Sequence, residues 1–146
     1  MKILIVSFLT IALFSCSNSN RWEKISQNQY NNDAIVVLGD FDGDSRQDSS
    51  YLAKKENKLA LIAELSSKNF SNQFVITTFY NTNIKNIGIE LNPKNSLVFI
   101  CAKDCEIKEQ KKLSFDSIVF FENESSSSLF IYNQKKQLFD EFWLSD

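Results

Sequence analysis

The sequence predicts a mostly β fold, α+β if one short N-terminal helix forms, built as a single small domain of antiparallel strands in a meander. Short β-branched and aromatic runs recur at spacings of roughly 10 to 15 residues, the rhythm of meandering strands. Asn- and Ser-rich stretches stand between them, where turns are needed. Length and composition agree. A chain of 146 residues with 43% hydrophobic residues, 13 Phe and a single Pro can bury one dense aromatic core and is not disordered by composition.

The elements follow in order. Met1-Lys2 forms a short positive start, and Ile3 through Phe14 is an apolar run broken only by Ser7 and Thr10. That is the length of a signal-peptide core and too short for an ordinary membrane span. The run ends in Leu13-Phe14-Ser15-Cys16, which resembles the lipobox of bacterial lipoproteins, with Phe14 bulkier than the pattern usually carries. The resemblance implies export to the bacterial cell envelope, removal of residues 1–15 and acylation of Cys16, so that the membrane partner is reached through lipid, on the inner or the outer membrane. Two or more acyl chains hold a protein durably where one does so marginally. An ordinary secretory leader with an incidental cysteine is the alternative, and export follows either way. Residues 16–20, with the polar Ser17-Asn18-Ser19-Asn20, read as a flexible spacer, and 21–146 as the single β-rich domain.

Within that domain Trp22 to Tyr30 is expected to form the short helix, although its apolar face is thin. Ala34-Ile35-Val36-Val37-Leu38 is a strand that enters an acidic loop, and Tyr51-Leu52-Ala53 leaves it toward a turn at Lys54 to Lys58. Further strands are expected at Leu59 to Leu65, Gln73 to Tyr80, Ile84 to Leu91, Ser96 to Cys101, Leu113 to Phe121, Ser127 to Tyr132 and Leu138 to Leu144. Asn92-Pro93-Lys94-Asn95 is the clearest hairpin turn.

The acidic loop is the most informative segment. Gly39-Asp40-Phe41-Asp42-Gly43-Asp44-Ser45-Arg46-Gln47-Asp48 places carboxylates at loop positions 1, 3, 5 and 9. Four like charges in nine residues repel unless a cation neutralises them, water keeps them apart or some take up protons. Calcium accepts six to eight oxygens in forgiving geometry, so three or four of Asp40, Asp42, Asp44 and Asp48, the backbone carbonyl of Arg46 and a water would complete its shell. An Asp-rich turn without metal is the plain alternative. The loop resembles those of integrin-type FG-GAP and related bacterial repeats, Asp-x-Asp-x-Asp-Gly-x-x-Asp, and the resemblance implies the same ligand positions. It departs at Ser45, where glycine usually supplies a left-handed turn, and it carries Gly43 at position 4. Position 12 is Tyr51 and not a bidentate Glu, so the loop is not an EF-hand. The pattern occurs once, so the likeness concerns the loop and not a propeller.

A second resemblance covers more of the chain. The ending from Phe120-Phe121-Glu122 through Ser125-Ser126-Ser127-Ser128-Leu129-Phe130-Ile131-Tyr132, then Phe142-Trp143-Leu144-Ser145-Asp146, is similar to that of small exported bacterial proteins that pair a GDxxGD loop with two cysteines before a Phe-Phe strand. It implies an architecture and no activity.

Cys101 and Cys105 remain after Cys16, and an even pair in an oxidising compartment reads as a disulfide. So small a loop would add roughly 2 kcal/mol at best. Zinc is disfavoured because the chain has no histidine. Nucleic acid is a poor partner for 16 Lys+Arg against 18 Asp+Glu, because phosphate binding needs a basic footprint. Ser125 to Ser128 have no histidine base and no Gly-x-Ser-x-Gly elbow. The expectation is therefore a non-catalytic, calcium-stabilised, lipid-anchored envelope protein that acts as a binding or interaction module toward a protein or glycan partner. One alternative is a glycan hydrolase in which the Asp cluster or paired carboxylates drawn from Glu122, Glu124, Asp140 and Glu141 act on sugar; Phe142 and Trp143 would stack on a sugar or a peptide, although aromatic residues closing a last strand are more often core. Another is an inhibitor or accessory partner of an envelope enzyme.

Overall fold

The computed structural model describes residues 21–26, 35–66, 71–80, 87–101, 108–122 and 126–144. The leader, Cys16, the spacer and Cys105 lie outside them. Among the described residues there is no helix, and eleven strands form two antiparallel sheets. The helix expected over 22–30 is corrected in its described part: β1 (Glu23–Lys24) runs extended against β3. A thin apolar stripe cannot hold a short helix together. Ile25 instead sinks into the core and donates its N–H to the Leu52 carbonyl at 3.1 Å.

The first sheet has the order β1-β3-β4-β5, with β2 also paired to β3. Its strands are β2 (Val36–Gly39), β3 (Asp48–Lys55), β4 (Lys58–Ser66) and β5 (Ser71–Tyr80). β1 and β2 pair with successive stretches of the same edge of β3, Lys54 to Ala53 and Tyr51 to Asp48. Tyr51-Leu52-Ala53 of β3 and Leu59 to Ala63 of β4 are buried on both faces of the sheet. Leu52, Leu59, Leu61, Ala63 and Leu65 face the second sheet, while Tyr51, Ala53, Ala60 and Ile62 form a cluster on the far face with Trp22 and Val36. In β5 the register slips opposite Leu61/Ile62. The bulge breaks strict alternation, so Phe74, Ile76 and Phe79 all pack on the core.

The second sheet has the order β6-β9-β10-β11-β7-β8: β6 (Ile87–Asn92), β7 (Leu97–Cys101), β8 (Lys108–Lys112), β9 (Ser117–Glu122), β10 (Ser126–Asn133) and β11 (Leu138–Leu144). The meander is therefore partial. β9, β10 and β11 follow one another, but β6 and the β7–β8 hairpin occupy opposite ends of the sheet. The strand expected over 113–121 starts only at Ser117, and residues 113–116 form the turn between β8 and β9. β8, Lys-Glu-Gln-Lys-Lys, carries no apolar alternation and gave no strand signal; charged residues suit it to a sheet edge. β11 meets β7 through Trp143–Cys101 and Leu144–Ile100 alone. Val98 and Ile100 of β7 pack there with Leu129 of β10 and Leu113. Cys101 ends β7 buried and forms no disulfide with a described residue, while its expected partner Cys105 lies outside the described residues.

The main core lies between the sheets, where Ile87, Ile89, Ile118, Phe120 and Phe130 meet the inner residues of β3 and β4. Phe79 stacks on Phe120 with ring centroids 4.5 Å apart. Among the described residues no helix is long and apolar enough to cross a membrane.

Candidate metal centre

The acidic loop joins β2 to β3 and is anchored at both ends. Phe41 is fully buried in the core, so the loop cannot swing out without exposing a phenyl ring. Asp48 opens β3 and is 1% exposed. Its carboxylate accepts the Phe41 N–H at 2.9 Å and the Ser66 N–H at 2.7 Å, fastening the loop to the end of β4. Between these anchors Asp40 accepts the N–H groups of Gly43 and Ser45 at 2.9 and 3.1 Å, which folds the chain around that side chain. Gly43 and Ser45 both take left-handed backbone, φ 80° and 66°. Ser45 thus adopts the conformation that the loop pattern assigns to glycine.

The fold brings three of the four expected carboxylates together. One oxygen from each of Asp40, Asp42 and Asp48 lies within 4.8 Å of the others, an arrangement able to hold a metal ion. Asp44 is not in that group. It is exposed, accepts the Arg46 N–H at 2.9 Å and faces Arg46 Nε at 3.6 Å, so its charge is turned toward the neighbouring guanidinium. Oxygen-only ligands suit a hard cation, and the chain supplies no thiolate or imidazole here.

Electrostatics report the same crowding. Burial pushes the Asp48 carboxyl above its usual range, against the two backbone N–H bonds, and Asp42 and Asp44 add repulsion. Asp42 is raised first by burial and then by Asp44 and Asp40, against a backbone hydrogen bond from Asp44. Tyr132 on β10 is raised by burial, then by the charges of Asp42 and Asp48, which places its phenol in the field of the cluster. A bound cation would offset the carboxylate repulsion that adds to burial in all three.

Four residues of this centre are not singled out for it by the sequence. Asp116 in the β8–β9 turn accepts the Asp40 N–H at 2.9 Å and the Lys94 N–H at 2.7 Å, and returns its own N–H to the Asp40 carbonyl at 3.2 Å. A Cβ on Gly39 would stand 3.0 Å from the Asp116 carboxylate, so glycine there admits this close approach. The Phe115 ring covers Gly43, whose added Cβ would fall 2.1 Å from it. Gln134 in the β10–β11 turn donates Nε2–H to the Asp42 carbonyl at 2.8 Å. Tyr132 completes the set. A turn-forming Asp at 116 is visible in the sequence, but its partner 76 residues away is not.

The other candidates sit elsewhere. Asp140 and Glu141 are consecutive on β11 and so point to opposite faces; Asp140 is engaged by Asn133 and Lys136, Glu141 by the Ser128 hydroxyl. Asp140 is held below the usual carboxylate range, first by Asn133 and then by Lys136. Glu122 ends β9, and Glu124 lies outside the described residues. Phe142 packs beneath Lys111, whose Nζ is 4.4 Å from the ring centroid, and Trp143 is half exposed. No family model, curated protein or solved structure matches the chain.

Proposed function

We propose that the chain is a non-catalytic, calcium-stabilised binding module held on the bacterial cell envelope by lipid on Cys16. The convergence of Asp40, Asp42 and Asp48 within 4.8 Å carries the calcium reading. Three carboxylates, the Arg46 carbonyl and water make an oxygen shell of the kind calcium accepts, whereas magnesium demands a stricter octahedron. The ion is structural. Extracellular-type loops bind at roughly 0.1–1 mM, so millimolar calcium adds about 0.5–1.5 kcal/mol by mass action. That orders a loop without being required for the core.

Calorimetric titration of the full chain with calcium chloride tests the reading. One site and a modest calcium-dependent rise in melting temperature are expected, both lost in Asp42→Asn. An absent heat with an unchanged melt removes calcium from the account. Acylation is tested separately: Cys16→Ala should abolish incorporation of labelled palmitate and release the protein from membranes, and retention of both would refute the anchor.

A further inference from the structure

Both walls of a groove beside the acidic loop are fastened to that loop. The groove encloses about 630 Å³ between the β8–β9 turn and the β10–β11 hairpin, within the range of small-molecule sites. Its floor is apolar, with Leu113, Ile131 and Phe142, and Phe115 borders it. Ser114 and Gln134, whose Nε2 is bound to the Asp42 carbonyl, line it with the Asn133 amide, which is engaged by Asp140, Lys135 and Lys136; Lys111, over the Phe142 ring, Lys112 and Lys135 line it too. The single lining carboxylate, Asp140, is already bound to Lys136 at 2.8 Å. Neither Lys112 nor Lys135 is ion-paired with a described residue. The groove therefore presents unneutralised positive charge beside aromatic and amide groups, on a chain whose net charge is −2.

We infer that this groove binds an acidic monosaccharide unit, a hexuronate, and that calcium in the acidic loop tightens the binding; the second half rests on the calcium reading above. The chemistry selects the ligand class. A pyranose ring has one apolar face that packs on aromatic carbons. Its hydroxyls match the Ser114 hydroxyl and the Gln134 side-chain carbonyl, and its carboxylate matches Lys112 and Lys135. A phosphate ester is a poorer fit, since the groove offers neither an arginine fork nor a helix N-terminus. A fatty acid would need an enclosed apolar channel, and this groove is open. The coupling follows from the fastening: Phe115 covers Gly43, Asp116 exchanges hydrogen bonds with Asp40, and Gln134 holds the Asp42 carbonyl. A cation that fixes Asp40 and Asp42 fixes both walls, and the linkage is reciprocal.

The test is titration of the full chain with glucuronate, with glucose as the neutral control, in calcium and in chelator. Saturable glucuronate binding is expected in calcium, weaker by roughly fivefold or more in chelator, with no binding of glucose. Lys112→Gln/Lys135→Gln should weaken glucuronate tenfold or more while leaving calcium binding intact. Asp42→Asn should bind glucuronate with the same reduced affinity in both buffers, which separates calcium on the protein from calcium on the sugar. Normal calcium binding without glucuronate binding overturns the groove and leaves the calcium reading standing. Glucuronate binding that ignores calcium in the wild type overturns the coupling. Failure of calcium itself to bind overturns both the coupling and the reading beneath it.

Discussion

At the scale of single residues, the acidic loop accepts local strain to focus charge. Ser45 sits at φ 66°, where a non-glycine residue is penalised by roughly 1–2 kcal/mol, part of which glycine would return as unfolded-chain entropy. Ser45→Gly is therefore expected to stabilise the protein by about 0.5–1 kcal/mol and to raise calcium affinity, as denaturant melts and calorimetry would register. Asp42 and Asp48 are both shifted upward from 3.8, so the folded chain holds protons there more tightly than the unfolded chain does. Their contribution is fully present below about pH 4 and is lost as pH rises through the elevated folded values. Metal-free wild type should thus lose stability relative to Asp42→Asn as pH climbs from 4 toward neutrality, and calcium should remove the difference. Parallel melting curves for the two proteins across that range would show that Asp42 carries no such linkage. Asp140, lowered by Asn133 and Lys136, has the opposite sign: its contribution is present above about 3.8 and disappears in stronger acid.

At the scale of elements, turns from distant parts of the chain meet at the loop. Asp116 links it at once to the β6–β7 and β8–β9 turns through Lys94 and its own backbone. Asp116→Ala leaves two N–H groups without their acceptor, a loss of about 1–2 kcal/mol for partly exposed groups. Hydrogen exchange should accelerate at the Asp40 and Lys94 amides above all, and calcium should bind more weakly. Unchanged protection at both amides would mean that water replaces the carboxylate at no cost. Much of the strand layout was legible: the runs ending in the acidic loop, flanking Lys54 to Lys58 and closing the chain coincide with β2 to β5, β10 and β11. β8 was not, because an edge strand of Lys, Glu and Gln is defined by its backbone pairing with β7, which no apolar alternation announces. In the described part of the helix expected at Trp22 the chain is extended instead, with Ile25 buried beside Leu52, a long-range contact that local periodicity does not announce.

At the scale of the whole molecule, one apolar interior joins the two sheets. The Phe79–Phe120 stack bridges β5 and β9 across it, so Phe79→Ala should lower unfolding free energy by about 3 kcal/mol. The variant should still unfold in one transition, with secondary structure and aromatic signals lost together; separate transitions would mean that the sheets are independent units. The acidic loop and the groove beside it lie at one end of this body, where turns from both sheets are tied together.

The sequence by itself determined the strand-rich class, the place of the acidic loop between two strands and its carboxylate spacing, because alternation, turn residues and charge repulsion are local properties of the chain. Only the tertiary structure decided which carboxylates converge, turning Asp44 to Arg46 and keeping Asp40, Asp42 and Asp48 together. It alone brought in Asp116, Phe115 and Gln134, whose contacts depend on how the two sheets close over a shared core.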